Sequence, residues 1–339
     1  MSIQEIVSPG IASGTASARL VRLDHLTVIE IRGADAIEFL HGQLTQDVKQ
    51  LGDADAKPAG YCTAKGRLLA SAIIWRGEPD PADPAPRVLA MIDASIAETL
   101  QKRLSMFVLR AKVKVSRTAL QVAGIWSGTD SAALQAAAGG LLPAAPWTRA
   151  ELPSGTWIAA PTAGAGQARW WWVGPADSLQ RLCVSIEADA GIEQAWRAAD
   201  IAAGLPWIVA VTQDMFVPQM VNFELIGGVS FTKGCYPGQE VVARSHYLGK
   251  LKRRMFGGRI ATAEDPLALT GADVFQDGDE QPCGRIVNAA RDGDAVAILY
   301  ESTLTAAGGP AALRAGSAAG PVITGQALPY SVPDDAKSA

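Results

Sequence analysis

Residues 231–254, FTKGCYPGQEVVARSHYLGKLKRR, carry the densest chemistry in the chain, and the reading of the rest follows from them. Cys235 stands at the centre. Lys233 precedes the thiol by two residues, Gly234 and Gly238 free the backbone on either side, and Pro237 with Glu240 mark the first turn of a helix running toward Arg244. Unpaired N–H groups and the positive end of the dipole gather at a helix start, and Lys233 adds a full charge, so the segment favours thiolate over thiol. A cysteine taken at random is more often a small inert core residue. One flanked by glycines, between a lysine and a helix start, points to a role in chemistry.

Upstream, LTVIEI at residues 26–31 alternates as a half-buried strand, and Gly33 turns it into a helix. In that helix Ile37, Leu40, Leu44 and Val48 form one apolar stripe, with Gln43, Gln46 and Asp47 off it. After Tyr61, AKGRLLASAIIW reads as a turn feeding a strand, with Lys65 and Arg67 at its mouth. EPDPADPAPR at residues 78–87 holds four prolines and is a loop. A strand at 88–92 follows, then Asp93 caps a helix in which Ile96, Leu100, Leu104 and Phe107 recur. In RWWWV, Trp170 and Trp172 share one strand face and Trp171 takes the other, so the three pack a sheet and cannot form one stacking platform. A helix at 192–203 ends at Gly204. Short strands at 253–260, 272–275, 283–289, 296–300 and 322–327, separated by DGDE and RDGD turns, have the pattern of a small antiparallel barrel.

With 339 residues, two or three domains are expected, and the mixture of strands and helices argues α+β layers. The divisions read from the sequence are an N-terminal α+β domain over 1–115, a second over 116–249 carrying KGCYPGQE, a barrel over 250–330 and a disordered tail over 331–339; the first two can interleave. Lys+Arg 30 against Asp+Glu 34 gives net charge −4, so global charge does not advertise a nucleic-acid or membrane partner, and any anion site must be local, as at 242–254. No stretch near the start combines a basic run with an apolar one, and none reaches the roughly 18 apolar residues of a membrane span; a cytoplasmic monomer is expected. Cys62, Cys183, Cys235 and Cys283 show no CxxC spacing, which suits free thiols and no resident metal.

KGCYPGQE at 233–240, continued by VVAR and GKLKRR, resembles the signature of the YgfZ-type folate-binding proteins, relatives of the glycine-cleavage T-protein, an aminomethyltransferase. FLHGQLTQDV (39–48), YCTAKGRLLA (61–70), GLPWI (204–208), FVPQMVNFE (216–224) and GVSF (228–231) occur in the family's order; residues 126–179 and the last thirty lie outside the likeness. The resemblance implies a three-domain α+β cloverleaf around a central hole for tetrahydrofolate, with a C-terminal antiparallel β-barrel. It implies Cys235 and Lys233 as the reactive pair and Gln43, Asp47, Lys65, Arg67, Phe223, Glu224, Tyr236, Gln239, Glu240, Arg244 and Arg254 as folate contacts. Arg244 and Arg254, with Lys250, Lys252 and Arg253, are the cations suited to the glutamate tail. The implied role is a folate-dependent factor that assists assembly, maintenance or repair of iron–sulfur enzymes and so supports tRNA modification, without turnover of its own. The iron–sulfur cluster enters only through client proteins. The alternative is a folate-dependent aminomethyl or one-carbon transferase, and a third reading is a Cys–His thiol transferase or hydrolase recruiting His246 or His25.

Two departures bear on this. The family's pterin-binding glutamate stands two residues before the glycine that ends the helix, and IAAGLP has Ala202 there. Hydrogen bonds to a charged partner contribute about 1.5–3 kcal/mol each, and Ala202 supplies none; Glu224 or Glu240 would have to substitute. The transferase's acid is also missing, since KGRLLA places Leu68, Leu69 and Ala70 where carboxylates belong.

Overall fold

The computed structural model describes residues 18–78, 82–128, 131–163, 167–247 and 251–333. In chain order the first elements are β1 (Arg19–Arg22), β2 (Leu26–Arg32), α1 (Ala36–His41), β3 (Lys57–Cys62), β4 (Leu68–Arg76), β5 (Arg87–Asp93), α2 (Ala97–Met106) and β6 (Lys114–Arg117). There follow β7 (Gln121–Trp126), α3 (Ser131–Ala138), β8 (Arg149–Leu152), β9 (Gly155–Ala160), β10 (Arg169–Gly174), α4 (Ala176–Ser185), β11 (Glu187–Ala188), α5 (Glu193–Ala202) and α6 (Gln239–Tyr247). The last part comprises β12 (Arg253–Ile260), α7 (Pro266–Leu269), β13 (Asp273–Gln276), β14 (Pro282–Asp292), β15 (Ala295–Thr303), α8 (Leu304–Ala307), β16 (Leu313–Ala315) and β17 (Val322–Gln326).

These strands make a five-stranded sheet, β3-β4-β5-β2-β6, a six-stranded sheet, β11-β1-β7-β10-β9-β8, and a closed barrel, β12-β15-β14-β13-β16-β17. The architecture is α+β with a C-terminal antiparallel barrel. The sequence reading lacks β1, β3, β8, β9, β11 and β16, and two of these bear on the division into parts. β1, from the N-terminal stretch, pairs with β7 in the second sheet, so residues 1–115 and 116–249 share a sheet. The barrel also closes through β16, whose three residues are too short to show an alternation.

The helix expected to continue through Val48 stops at His41. Leu40, Leu44 and Val48 are still buried together, but the turn after Gly42 spends its backbone on other partners: Thr45 N donates to Gly60 O at 2.8 Å, and Leu44 bridges to Tyr61. Apolar spacing alone could not show that exit. Phe107, read as part of the buried stripe of α2, lies at that helix's C-terminal end and is 44% exposed.

The tryptophans divide as the strand alternation requires. Trp170 and Trp172 join Trp157 in a core under α3 and α4, while Trp171 faces Trp75, Trp196 and Trp207 in a core between the two sheets. Inside that second core the Arg169 guanidinium donates to Asp200 at 2.6 Å, and both side chains are only 2% exposed. The other Asp200 oxygen accepts Trp207 Nε1 at 3.0 Å, and Arg169 lies 4.7 Å over the Trp196 ring. Asn288 of the barrel then bonds Trp207 through both its backbone N and its O, at 2.9 and 2.8 Å. One ion pair thus joins β10, α5 and the barrel.

Removing one partner of a buried pair strands the other charge, at a cost of about 3–5 kcal/mol. Asp200→Ala is therefore expected to lose stability on that scale in urea unfolding, and Arg169→Met/Asp200→Leu to recover most of it. A loss confined to a few tenths of a kcal/mol would show that the three parts are held together elsewhere.

Candidate thiol site and ligand cavity

The block HGQLTQDV is zipped onto the segment that leads to Cys235. Thr45 Oγ1 donates to Gly228 O at 2.6 Å and accepts Gly60 N at 2.7 Å, while Ser230 N donates to Thr45 O at 2.9 Å. Gln46 Nε2 spans Pro58 O at 3.0 Å and Gly227 O at 2.7 Å. Lys233 completes the seam. Its ammonium donates to Leu44 O at 2.8 Å and to His41 O, closing the C-terminal end of α1, and stands 4.6 Å over the Tyr236 ring. Burial pushes the Lys233 ammonium down to about 8, partly offset by Asp47 and Cys235. The sequence read this lysine as a charge beside the thiol, whereas its hydrogen bonds go to the carbonyls of His41, the last residue of α1, and Leu44, in the turn beyond it.

On the far side of Cys235 the loop is fixed by glycine. Gly238 has φ +79°, and a β-carbon there would come within 2.4 Å of Thr63 O and 2.5 Å of Gly66 Cα. Gly66 itself has φ +72°, so the tip of the β3–β4 hairpin and the start of α6 meet backbone to backbone, a contact open only to glycine. Tyr236 is buried and Cys235 exposed. The thiol therefore stands on the surface of a loop held on both flanks.

His41 is a neighbour that sequence reasoning passed over, although it lies within a quoted block. Its Nε2 sits 3.6 Å from where a side chain on Gly234 would begin, and its Nδ1 lies 3.2 Å from Asp47 Oδ1, without hydrogen-bond alignment. Burial, then Lys233, lowers its pKa below the ordinary 6.5. The histidines weighed from sequence go elsewhere: His25 bonds Glu193 at 2.7 Å, and His246 stacks on Phe231 with 3.7 Å between ring centroids.

The expected folate contacts do not converge. Gln43 is half-buried with an unpartnered Oε1, Asp47 accepts Lys49 N and Gln50 N, and Tyr236 is turned inward beneath Lys233. Phe223 is core; its ring occupies the space a side chain on Gly228 would need. Glu224 and Arg254 bury one another as an ion pair, Arg254 also donating to Gln219 O at 3.1 Å. Arg254 therefore leaves the expected cationic rim. Successive β12 residues face opposite ways, so Arg253 instead bonds Glu301 on the other side. Arg67 donates to Met215 O at 2.5 Å and lines a polar groove with Arg253 and Arg285. Lys65, Glu240 and Arg244 are exposed and Gln239 is half-buried; Lys250 lies outside the described residues.

What all three parts of the fold do bound together is an open cavity of about 370 Å³. Asp93 and Ser95 come from the end of β5, Asp200 and Leu205 from α5 and its exit, and Leu267 and Asn288 from the barrel, with Trp207 as a flat wall. None of the folate contacts expected from sequence lines it. Asp93 was legible only as a helix cap, a role it does fill by accepting Ser95 N at 2.9 Å. Among the described residues no group of three or more His, Cys, Asp or Glu is arranged to hold a metal ion.

The fold is that of the glycine-cleavage aminomethyltransferases. The solved aminomethyltransferase T of the glycine cleavage system from Bartonella henselae superposes with a TM-score of 0.64 over 93% of this chain and 86% of its own, at 18% identity. No family model matches the sequence. The tRNA-modifying protein YgfZ of Klebsiella pneumoniae is 32% identical over 279 residues, covering 77% of this chain and 80% of its own. That of Edwardsiella ictaluri is 29% identical over 337 residues, covering 95% and 96%. The chain belongs to the YgfZ family.

Lys233→Met is expected to cost about 2–4 kcal/mol near neutral pH, because it strands two buried carbonyls and their charge-assisted bonds. The pH dependence has a definite sign. The folded ammonium gives up its proton near 8 and the unfolded one near 10.5, so wild-type stability rises relative to Lys233→Met across that window. Urea midpoints from pH 7 to 10.5 check both; parallel curves would place the ammonium in solvent.

Proposed function

We propose that this protein is a folate-binding accessory factor whose surface thiol, Cys235, supports iron–sulfur enzymes, those that modify tRNA among them. The observation that carries this reading is the exposed thiol on a loop pinned by the Lys233 seam and the Gly66–Gly238 contact. So much fixed backbone around one solvent-facing cysteine is out of proportion to a packing role. Family membership and the aminomethyltransferase fold agree with it, and the tRNA-modifying role named for the relatives is brought to this chain on that basis.

The cavity fits a folate in size and character. Its volume falls within the range of about 300–1,000 Å³ usual for small-ligand sites, and apolar walls with a few polar groups suit a flat heterocycle. Bound tetrahydrofolate would supply a reduced pterin able to carry one carbon; the chain's own part is to bind and orient it. Ala202 is exposed at the end of α5 and brings no acid. Leu68, at the place of the transferase's acid, is fully buried, which disfavours aminomethyl transfer. The protein is read as a cytoplasmic monomer without turnover of its own; among the described residues no helix is long and apolar enough to cross a membrane.

Calorimetry with tetrahydrofolate is expected to give a dissociation constant of about a micromolar or weaker, and no binding up to millimolar would remove the folate assignment. Cys235→Ala should fold, bind the same ligand, and fail to restore iron–sulfur enzyme activity in cells lacking the wild-type protein. Cys183→Ala and Cys283→Ala should restore it. Full complementation by Cys235→Ala would overturn the thiol's role.

A further inference from the structure

At the C-terminal end of α2 the chain exposes what it buries elsewhere. Met106 is 72% and Leu109 87% exposed, with Phe107 beside them. The loop that carries them is anchored: Val108 and Val113 pack on the core of the five-stranded sheet, Ala111 N donates to Val108 O at 2.8 Å, and Lys112 N donates to Asp35 Oδ2 at 2.7 Å. Leu109 is held at φ +44°, a left-handed conformation that a β-carbon resists. An apolar tip is thereby turned outward. Around it the charge is of one sign, since residues 99–129 hold six Lys and Arg and no Asp or Glu, whereas the rest of the chain holds 24 against 34. Lys102 pairs with Glu98, but Arg110, Lys112, Lys114 and Arg117 are exposed and form no ion pair among the described residues. Cations on β6, an edge strand, guard against unwanted strand pairing. That accounts for Lys114 and Arg117 and leaves the apolar tip unexplained.

We infer that this tip and its cations dock the chain onto an acidic protein with an apolar recess. The charge sets the sign of the partner, and it disfavours a second copy of this chain, which would meet its own positive patch across a two-fold axis. The most exposed tip residues are aliphatic and offer a nucleic acid no stacking face. A bilayer has no shape to match and needs no fixed loop, whereas an anchored, strained Leu109 suits a shaped recess, because little ordering is left for binding to pay. The docking stands on this surface alone; that the partner is an iron–sulfur client rests on the functional reading above.

Two double variants of the full chain test this. Met106→Gln/Leu109→Asn removes the apolar tip but keeps a helix former and a residue at ease in the left-handed loop, and Arg110→Glu/Lys114→Glu reverses charge; both are expected to melt with the wild type. A photoreactive benzoylphenylalanine placed at Ser105, exposed one residue before the tip, is expected to crosslink the partner in cells for identification by mass spectrometry. That protein, purified, should be acidic and bind the wild-type chain in calorimetry, about 10- to 100-fold more weakly with either variant and more weakly at high salt. If one variant unfolds, the other and the salt dependence still decide. Cys235→Ala should bind the partner as the wild type does, which separates docking from the thiol's chemistry. No adduct at Ser105, or binding that neither variant weakens, would overturn the inference and leave the role of Cys235 standing. Sedimentation of the chain with phosphatidylglycerol vesicles, lost in both variants, would overturn it in favour of a membrane surface. An acidic partner without an iron–sulfur cluster would uphold the docking and remove the client reading.

Discussion

The ammonium of Lys233, holding the carbonyl of His41 at the end of α1 and that of Leu44 in the turn beyond it, is the constraint on which the site depends. Helix ends leave carbonyls without partners, and here the partner comes from nearly two hundred residues downstream. The bond ties the two stretches so that Thr45 and Gln46 can read the backbone of Gly227 and Gly228. With that seam closed, the chain emerging at Gly234 has one course over the hairpin tip at Gly66, and Cys235 is left on the surface. The same lysine that looked like an electrostatic aid to the thiol is first a structural fastener. Its charge still reaches the site, since it lowers the pKa of His41.

What the sequence disclosed and what it hid follow physical lines. Local signals were legible: the alternation that separates Trp171 from Trp170 and Trp172, the glycine that ends α5, the capping role of Asp93 and most barrel strands. Signals that depend on which partner wins were not. The stripe through Leu44 and Val48 gave the right burial and the wrong helix length, because Thr45 exchanges helical bonds for cross-chain ones. Arg254 looked like a surface cation because nothing in its neighbourhood shows that Glu224, thirty residues earlier, meets it in the interior. The cavity was invisible for the same reason, since its walls come from β5, the exit of α5 and the barrel, each unremarkable alone.

The thiol and the cavity are built by different parts of the fold. The cysteine loop hangs on α1, the β3–β4 hairpin and α6, whereas the cavity is held by the Arg169–Asp200–Trp207 chain and Asn288. The segment from Ile208 to Phe216 links them. Ile208 N donates to Ser71 Oγ, Gln213 Nε2 to Leu69 O, and Leu68 N to Phe216 O, so it runs along the start of β4. Val209 and Ala210 line the cavity at one end of this segment, and Leu68 leads back to the Gly66 turn at the other. Leucine and alanine at 68–70 make that seam apolar where a transferase places acids, and the chain has used the position for packing.

The central claim is that the seam between residues 41–47 and 228–236 holds the Cys235 loop in place, and native-state hydrogen exchange on Thr45→Val reads it directly. The variant keeps the side-chain shape and removes the hydroxyl that bonds both Gly228 and Gly60. Amides of residues 228–238 are expected to exchange about 10- to 100-fold faster, while those of β12, β14 and β15 in the barrel keep wild-type protection. Unchanged exchange through 228–238 would contradict the account and leave the placement of Cys235 to the glycine contact alone.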